Sequence, residues 1–222
     1  WGDFGVYGLF SAHTSSPASV NFTSQTQNTD TLFGTGGAGS ALSGNTTHYF
    51  RVRSVNHNGL SSGYTTAIVT HTLVNAPTVP EFASVGNSSL NFQWNNNGNG
   101  PNTNYQAQVS TDNFSSVNFT SGTLNTSVLF GNGGAGSDLI ANTTYYVRVR
   151  AVSFDGILTD YTSTISTVTL VYAPSDGSPL FPTVYTSSIT FSWGSNNNPS
   201  GTLYQAEIST DNFSTLNTFT QN

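Results

Sequence analysis

The chain has 222 residues, a formal net charge of −6 at pH 7, no cysteine and no lysine. Charged residues make up only 6% of it, so the clustered basic residues that bind nucleic acid or a membrane surface are missing. Without cysteine there is no disulfide and no thiolate metal site, and no apolar run approaches the ~18 residues that span a bilayer.

The sequence repeats itself at an offset of 97 residues. Residues 20–77 align with residues 117–174 without a gap, and 35 of the 58 positions are identical. A third copy follows, in which YQAEISTDNFS at 204–214 matches YQAQVSTDNFS at 105–115. Residues that recur in every copy are more readily explained by the fold than by chemistry.

The repeat predicts three units. Residues 1–73 form a partial repeat without its first strands, residues 74–170 a complete repeat, and residues 171–222 a partial repeat without its last strands. Two explanations are open: the chain is a window from a longer array, or neighbouring chains complete each other head to tail. The segment that starts at Trp1 and the segment that ends at Asn222 contain the same part of the repeat. They would overlap instead of completing each other, which favours a window from a longer array.

Apolar residues alternate with polar ones through the complete repeat, which is typical of strands with one buried face. Turn-rich strings such as NNNGNGPN, STDN and GNGGAGS separate these runs, a last strand is predicted at about 161–170, and no helical periodicity is present. The pattern predicts an all-β antiparallel sandwich. The alternating apolar residues are Leu90, Phe92, Trp94, Tyr105, Ala107, Val109, Tyr145, Val147, Val149 and Ala151.

Four positions carry a family resemblance. Trp94 ends the second strand, Tyr105 opens the third, and Leu139 stands six residues before Tyr145, which starts the Val-Arg-Val-Arg-Ala run. The pattern resembles the fibronectin type III fold, in arrays of the bacterial surface or secreted type. The resemblance implies tandem immunoglobulin-like sandwiches, with Tyr145 bonded to the preceding loop as a tyrosine corner. The expected structural core includes Trp94, Tyr105, Leu139, Tyr145 and Trp193.

No catalytic, cofactor or metal site is predicted. Both copies contain GxGxxG, at 34–39 and 131–136, but a strand follows instead of the helix that a dinucleotide site needs. The histidines all lie in the first copy, where His48 takes the corner position, and the second copy does not retain them. They are His13, His48, His57 and His71.

The only cations form two identical Arg-Val-Arg triplets, whose period of two places each pair on the outward face of one strand. They are Arg51, Arg53, Arg148 and Arg150. Two explanations are open. The arginines pair across strands with residues such as Gln106 and Gln108, or they form a contact patch that recurs every 97 residues.

Eight Asn-x-Ser/Thr sequons are candidate N-glycosylation sites. Their number is about what the Asn, Ser and Thr content gives by chance, so it is no signal in itself. They are Asn21, Asn45, Asn87, Asn113, Asn118, Asn125, Asn142 and Asn212.

These observations predict a non-enzymatic structural repeat module, located outside the cell or at its surface, that builds a filament or long fibre. Its expected partners are other copies of itself, head to tail or lateral, and a nearly uncharged surface offers little repulsion to such packing. The alternatives are an adhesin or carbohydrate-binding array that binds surface glycans, or spacer modules of a secreted polysaccharide-degrading enzyme. Neither nucleic-acid binding nor membrane insertion of this segment is expected.

Overall fold

The computed structural model describes residues 7–13 and 20–214, so Trp1 and the end of the chain at Asn222 lie outside the described residues. Within those ranges every regular element is a β-strand, and no helix is long and apolar enough to cross a membrane. Paired strands run antiparallel. The all-β antiparallel fold predicted from the sequence is therefore confirmed.

The first repeat contributes one four-stranded sheet in the order β2-β1-β3-β4. Its strands are β1 (Tyr7–His13), β2 (Phe22–Thr26), β3 (Thr47–Val55) and β4 (Ile68–His71). On the inner side of β3 the ring of Phe50 lies 6.0 Å from that of Phe33 and 6.4 Å from that of His48.

The complete repeat has two facing sheets, in the orders β5-β6-β9 and β11-β10-β7-β8. The first contains β5 (Thr78–Val85), β6 (Ser89–Asn95) and β9 (Ser127–Gly131). The second contains β7 (Asn104–Ser110), β8 (Phe119–Thr123), β10 (Thr144–Val152) and β11 (Ile165–Val168). Alternate residues of β6, β7 and β10 point between the sheets, which is why these strands show the period of two in the sequence.

The core of the complete repeat lies between these sheets and is formed by aromatic and branched residues. Phe92 is fully buried, and the Trp94 ring stands 5.4 Å from Phe92 and 5.5 Å from Tyr105, centre to centre. Tilted contacts of this kind are the favoured geometry for aromatic pairs. The other buried members are Leu90, Ala107, Val109, Phe130, Leu139, Tyr145, Val147, Val149 and Ala151.

Tyr145 closes the end of this core. Its hydroxyl accepts a hydrogen bond of 2.9 Å from the backbone N–H of Ile140, as the resemblance implied for a tyrosine corner.

The glycine-rich stretch before Tyr145 is a tight loop. Gly131 has a φ of +71°, and a Cβ atom there would stand 2.1 Å from the carbonyl oxygen of Ser88, so the loop needs glycine at this position.

The third segment departs from the sequence prediction. It forms only two-residue strands, β12 (Ser175–Asp176), β13 (Thr183–Val184), β14 (Ile189–Thr190) and β15 (Trp193–Gly194). Trp193 was expected in the core, but 37% of its surface is exposed. Its ring stacks between Phe191 and Tyr204, at 5.7 and 5.8 Å. It stays exposed because residues 195–214 form no strand that could cover it.

Replacing Tyr145 by Phe tests the corner bond. The change leaves the Ile140 N–H without its acceptor, so we expect the free energy of unfolding of the complete repeat to fall by about 1–2 kcal/mol. Hydrogen exchange at the β10 amides measures this quantity. Tyr146→Phe is the matched control on the neighbouring residue, and equal effects of the two changes would contradict the corner's role.

Candidate interaction surfaces

The arginines of the complete repeat pair with glutamines on the neighbouring strand. In the register of β10 and β7, Arg148 stands opposite Gln108 and Arg150 opposite Gln106. Arg148 donates to Gln108 Oε1 from Nε at 3.0 Å and from a terminal guanidinium nitrogen at 2.8 Å. Arg150 Nε donates to Gln106 Oε1 at 2.8 Å. Cross-strand pairing is thus present on the outward face of this sheet.

Aromatic rings stack on the guanidinium groups of the same two arginines. The Arg148 guanidinium carbon lies 3.9 Å from the ring centre of Phe114 and 4.0 Å from that of Tyr161. The Arg150 carbon lies 4.5 Å from the Tyr161 ring centre. Cation–π contacts of this kind stabilise by about 0.5–1 kcal/mol each at exposed sites. The alternation of residues in the sequence gives no sign of these ring contacts, although Tyr161 recurs as Tyr64 one repeat earlier.

The first repeat keeps the aromatic contact but not the glutamines. Arg51 and Arg53 lie 4.1 and 4.7 Å from the ring centre of Tyr64, while their register partners on β1 are Ser11 and Leu9. The Nε atoms of both arginines are buried and have no hydrogen-bond acceptor among the described residues. Hydrogen-bonding capacity on this strip is therefore unused.

A second recurring feature is the joint between repeats. There the side chain of Asn99 binds the linker, which we define as residues 72–77 between β4 and β5. The Asn75 N–H donates to Asn99 Oδ1 and Asn99 Nδ2 donates to the Asn75 carbonyl, both at 2.8 Å. Asn97 Nδ2 donates to the Ala76 carbonyl at 2.9 Å. These bonds tie the linker to the β6–β7 loop of the following repeat.

Asn45 of the first repeat fills the other side of this joint. It is 1% exposed, and its Nδ2 donates to Thr103 Oγ1 at 3.1 Å while its Oδ1 accepts from the Phe154 N–H at 3.0 Å. Next to it Gly44 exchanges two backbone hydrogen bonds with the loop 98–100. Buried amides with all partners satisfied specify one arrangement of the surrounding groups.

Part of this set of contacts recurs at the next joint, where Asn142 is exposed. Asn198 Oδ1 accepts from the Tyr172 N–H and its Nδ2 donates to the Tyr172 carbonyl, both at 2.8 Å. Asn142, the counterpart of Asn45, donates to Thr202 Oγ1 at 3.1 Å. In the sequence these asparagines belong to turns or sequons, which gives no sign of their contacts. The one signal is that Asn99 and Asn198 occupy equivalent positions in their repeats.

The burial of Asn45 in the joint argues against glycosylation at this sequon. Because Asn45 Nδ2 is buried and bonded to Thr103, a glycan on this nitrogen would separate the two repeats. Asn87 is half-buried, and its Nδ2 donates to the Val171 carbonyl. The remaining sequon asparagines are exposed: Asn21, Asn113, Asn118, Asn125, Asn142 and Asn212.

A cleft of about 360 Å³ opens at the first joint between β4, the linker and the β10–β11 loop. In it His71 Nδ1 lies 4.0 Å from a carboxylate oxygen of Asp155, and the His71 ring packs on Phe154 at 5.3 Å.

Across the described ranges no three His, Cys, Asp or Glu side chains come together as a metal site.

His48 is the unusual histidine. It is 1% exposed, and neither ring nitrogen has a hydrogen-bond partner among the described residues. It replaces the corner tyrosine, so the corner hydrogen bond of the complete repeat has no counterpart here. Burial lowers its pKa from 6.5, and the nearby His71 lowers it further.

Acidification is therefore expected to destabilise the first repeat. Below pH 6.5 the unfolded state binds a proton at His48 that the folded state does not bind. The free energy of unfolding of the first repeat is therefore highest above pH 6.5 and decreases as the pH falls below it. His48→Tyr should weaken this dependence and slow hydrogen exchange at the β3 amides. His57→Phe is the exposed control, and an unchanged pH dependence in His48→Tyr would contradict the assignment.

Asn99→Ala is expected to loosen the joint. It removes two hydrogen bonds and leaves the Asn75 peptide unsatisfied, at a cost of about 1–3 kcal/mol. Small-angle scattering should then show a wider range of inter-repeat arrangements, with each repeat still folded. Asn125→Ala, in an exposed turn away from the joint, is the matched control, and identical scattering of the two variants would refute the role of Asn99.

Comparison with known proteins agrees with this topology. Residues 75–169 match the family model of the fibronectin type III domain, and no curated protein matches the chain. The crystal structure of chicken CNTN1 FN1–FN3 domains is similar at 14% sequence identity, with a TM-score of 0.38. The match covers 75% of this chain and 56% of that one. The residues that match the family model fall within the complete repeat, residues 74–170.

Proposed function

We propose that this chain is a non-enzymatic structural repeat module of an extracellular filament or long cell-surface fibre. The observation that carries the proposal is the asparagine joint. The Asn99 carboxamide binds both polar atoms of the Asn75 peptide, and Asn198 binds the Tyr172 peptide in the same way. A fibre needs a connection of this kind, one that recurs from unit to unit.

The physical basis is the constancy of the connection. When each unit contacts only its neighbours through the same groups, every step repeats the same rotation and translation, and the array extends in one dimension. The joint is also polar and well satisfied, so it fixes orientation instead of only excluding water. A linker without such bonds would let neighbouring domains reorient, which is the default for small inter-domain contacts.

The surface of the chain supports the same proposal. With 6% charged residues, neighbouring fibres repel each other little. The alternative of a carbohydrate-binding array requires aromatic faces that are free to stack on sugar rings. The rings of Phe114, Tyr161 and Tyr64 already contact guanidinium groups, so these three rings favour a structural role.

Electron microscopy of the native material tests this proposal. We expect continuous fibres with an axial period set by one repeat of 97 residues, because each joint repeats the same geometry. Labelling with an antibody against the complete repeat should decorate the fibres at that period. Isolated particles without end-to-end contacts would rule the filament out.

A further inference from the structure

The two outer faces of the complete repeat carry opposite charges. On the sheet β11-β10-β7-β8 the charged strand residues are Arg148 and Arg150, both pointing outward. On the sheet β5-β6-β9 the only charged strand residue is Glu81. It stands opposite the outward Gln93, while its neighbour Phe82 packs on the core. We call these the arginine face and the Glu81 face.

The arginine face is fixed in place and lacks a counter-charge. Stacking on Phe114 and Tyr161 and bonding to two glutamines hold the guanidinium groups. Within the part of the chain that the structure describes, the one close contact between a basic and an acidic side chain joins His71 and Asp155. No carboxylate therefore neutralises an arginine. A group held in advance loses little side-chain entropy when it binds.

The Glu81 face offers a place for such a group. Glu81 is exposed, accepts a hydrogen bond from Gln93 Nε2, and lies at the wall of a depression of about 350 Å³. The depression is also lined by Asn95 and Ser127, so polar groups surround the carboxylate. Arginine is the residue best suited to a carboxylate set among such acceptors, because its planar fork donates several hydrogen bonds at once.

We propose that the arginine face of one copy packs against the Glu81 face of a second copy, so that fibres associate side by side. This inference rests on the proposed fibre and names its lateral partner. The contact joins two different surfaces, so it does not close on itself and adds copies in a row.

Charge complementarity makes a second copy the fitting occupant. The chain has a net charge of −6, and all its cations lie in two strips one repeat apart. Lateral approach of two such chains is favourable only where an arginine strip meets a carboxylate. In the first repeat the Nε atoms of Arg51 and Arg53 are buried, so the contact is assigned to the complete repeat.

The test uses Glu81→Arg, which leaves the arginine stack intact. Sedimentation velocity of the whole chain at low salt should show concentration-dependent side-by-side association, which weakens as salt is raised because exposed charge pairs are screened. Glu81→Arg should weaken association at least about tenfold, since it places like charges across the contact. Asp30→Arg makes the same change of charge at an exposed loop position of the first repeat, outside both faces of the complete repeat, and should leave association intact.

Two results would overturn the lateral contact: a wild-type chain that stays monomeric at every concentration, or equal effects of Glu81→Arg and Asp30→Arg. A charge swap adds a positive test, because Arg150→Glu combined with Glu81→Arg should restore association that Glu81→Arg abolishes. The fibre proposal is tested separately by the order of the joint. A monomeric chain with an ordered joint would remove the lateral contact and leave the fibre in place.

Discussion

The whole arrangement depends on one interaction, the hydrogen bonding of a loop carboxamide to the peptide of the linker. Asn99 satisfies both the N–H and the carbonyl of Asn75, so the linker has one conformation relative to the next repeat. Asn45 then seals the joint from the other side, buried between Thr103 and Phe154. Removing the Asn45 side chain would leave the buried Thr103 hydroxyl without this donor, and an unpaired buried polar group costs more than the bond itself contributes.

The outer faces show how a chain with few charges uses them. Arginines are placed where rings and glutamines hold them, and the carboxylate of Glu81 stands on the opposite sheet. In the first repeat the glutamines are replaced and the corner tyrosine becomes His48, whose buried ring nitrogens have no hydrogen-bond partner among the described residues. The repeats therefore share their joint and their aromatic–arginine contacts, while their internal hydrogen bonding has diverged.

The sequence predicted what depends on local period: strands β6, β7 and β10 and the inward set around Trp94. The bond of Tyr145 was implied by the family resemblance. The sequence could not predict the role of Asn99, because an asparagine between glycines reads as a turn and its partner peptide belongs to the linker. The burial of Asn45 was hidden for the same reason, since the loops that enclose it belong to the next repeat. Trp193 was misplaced because burial requires a covering sheet, which a strand pattern cannot guarantee.

The most direct test of the central claim is the distance distribution across the joint. The chain has no cysteine, so spin labels can be placed at Asn58→Cys and Asn125→Cys, two exposed positions in the first and second repeats. Pulsed electron–electron double resonance should give one narrow distance peak, because the asparagine joint holds a single orientation. A broad distribution, as for domains on a flexible linker, would contradict the account.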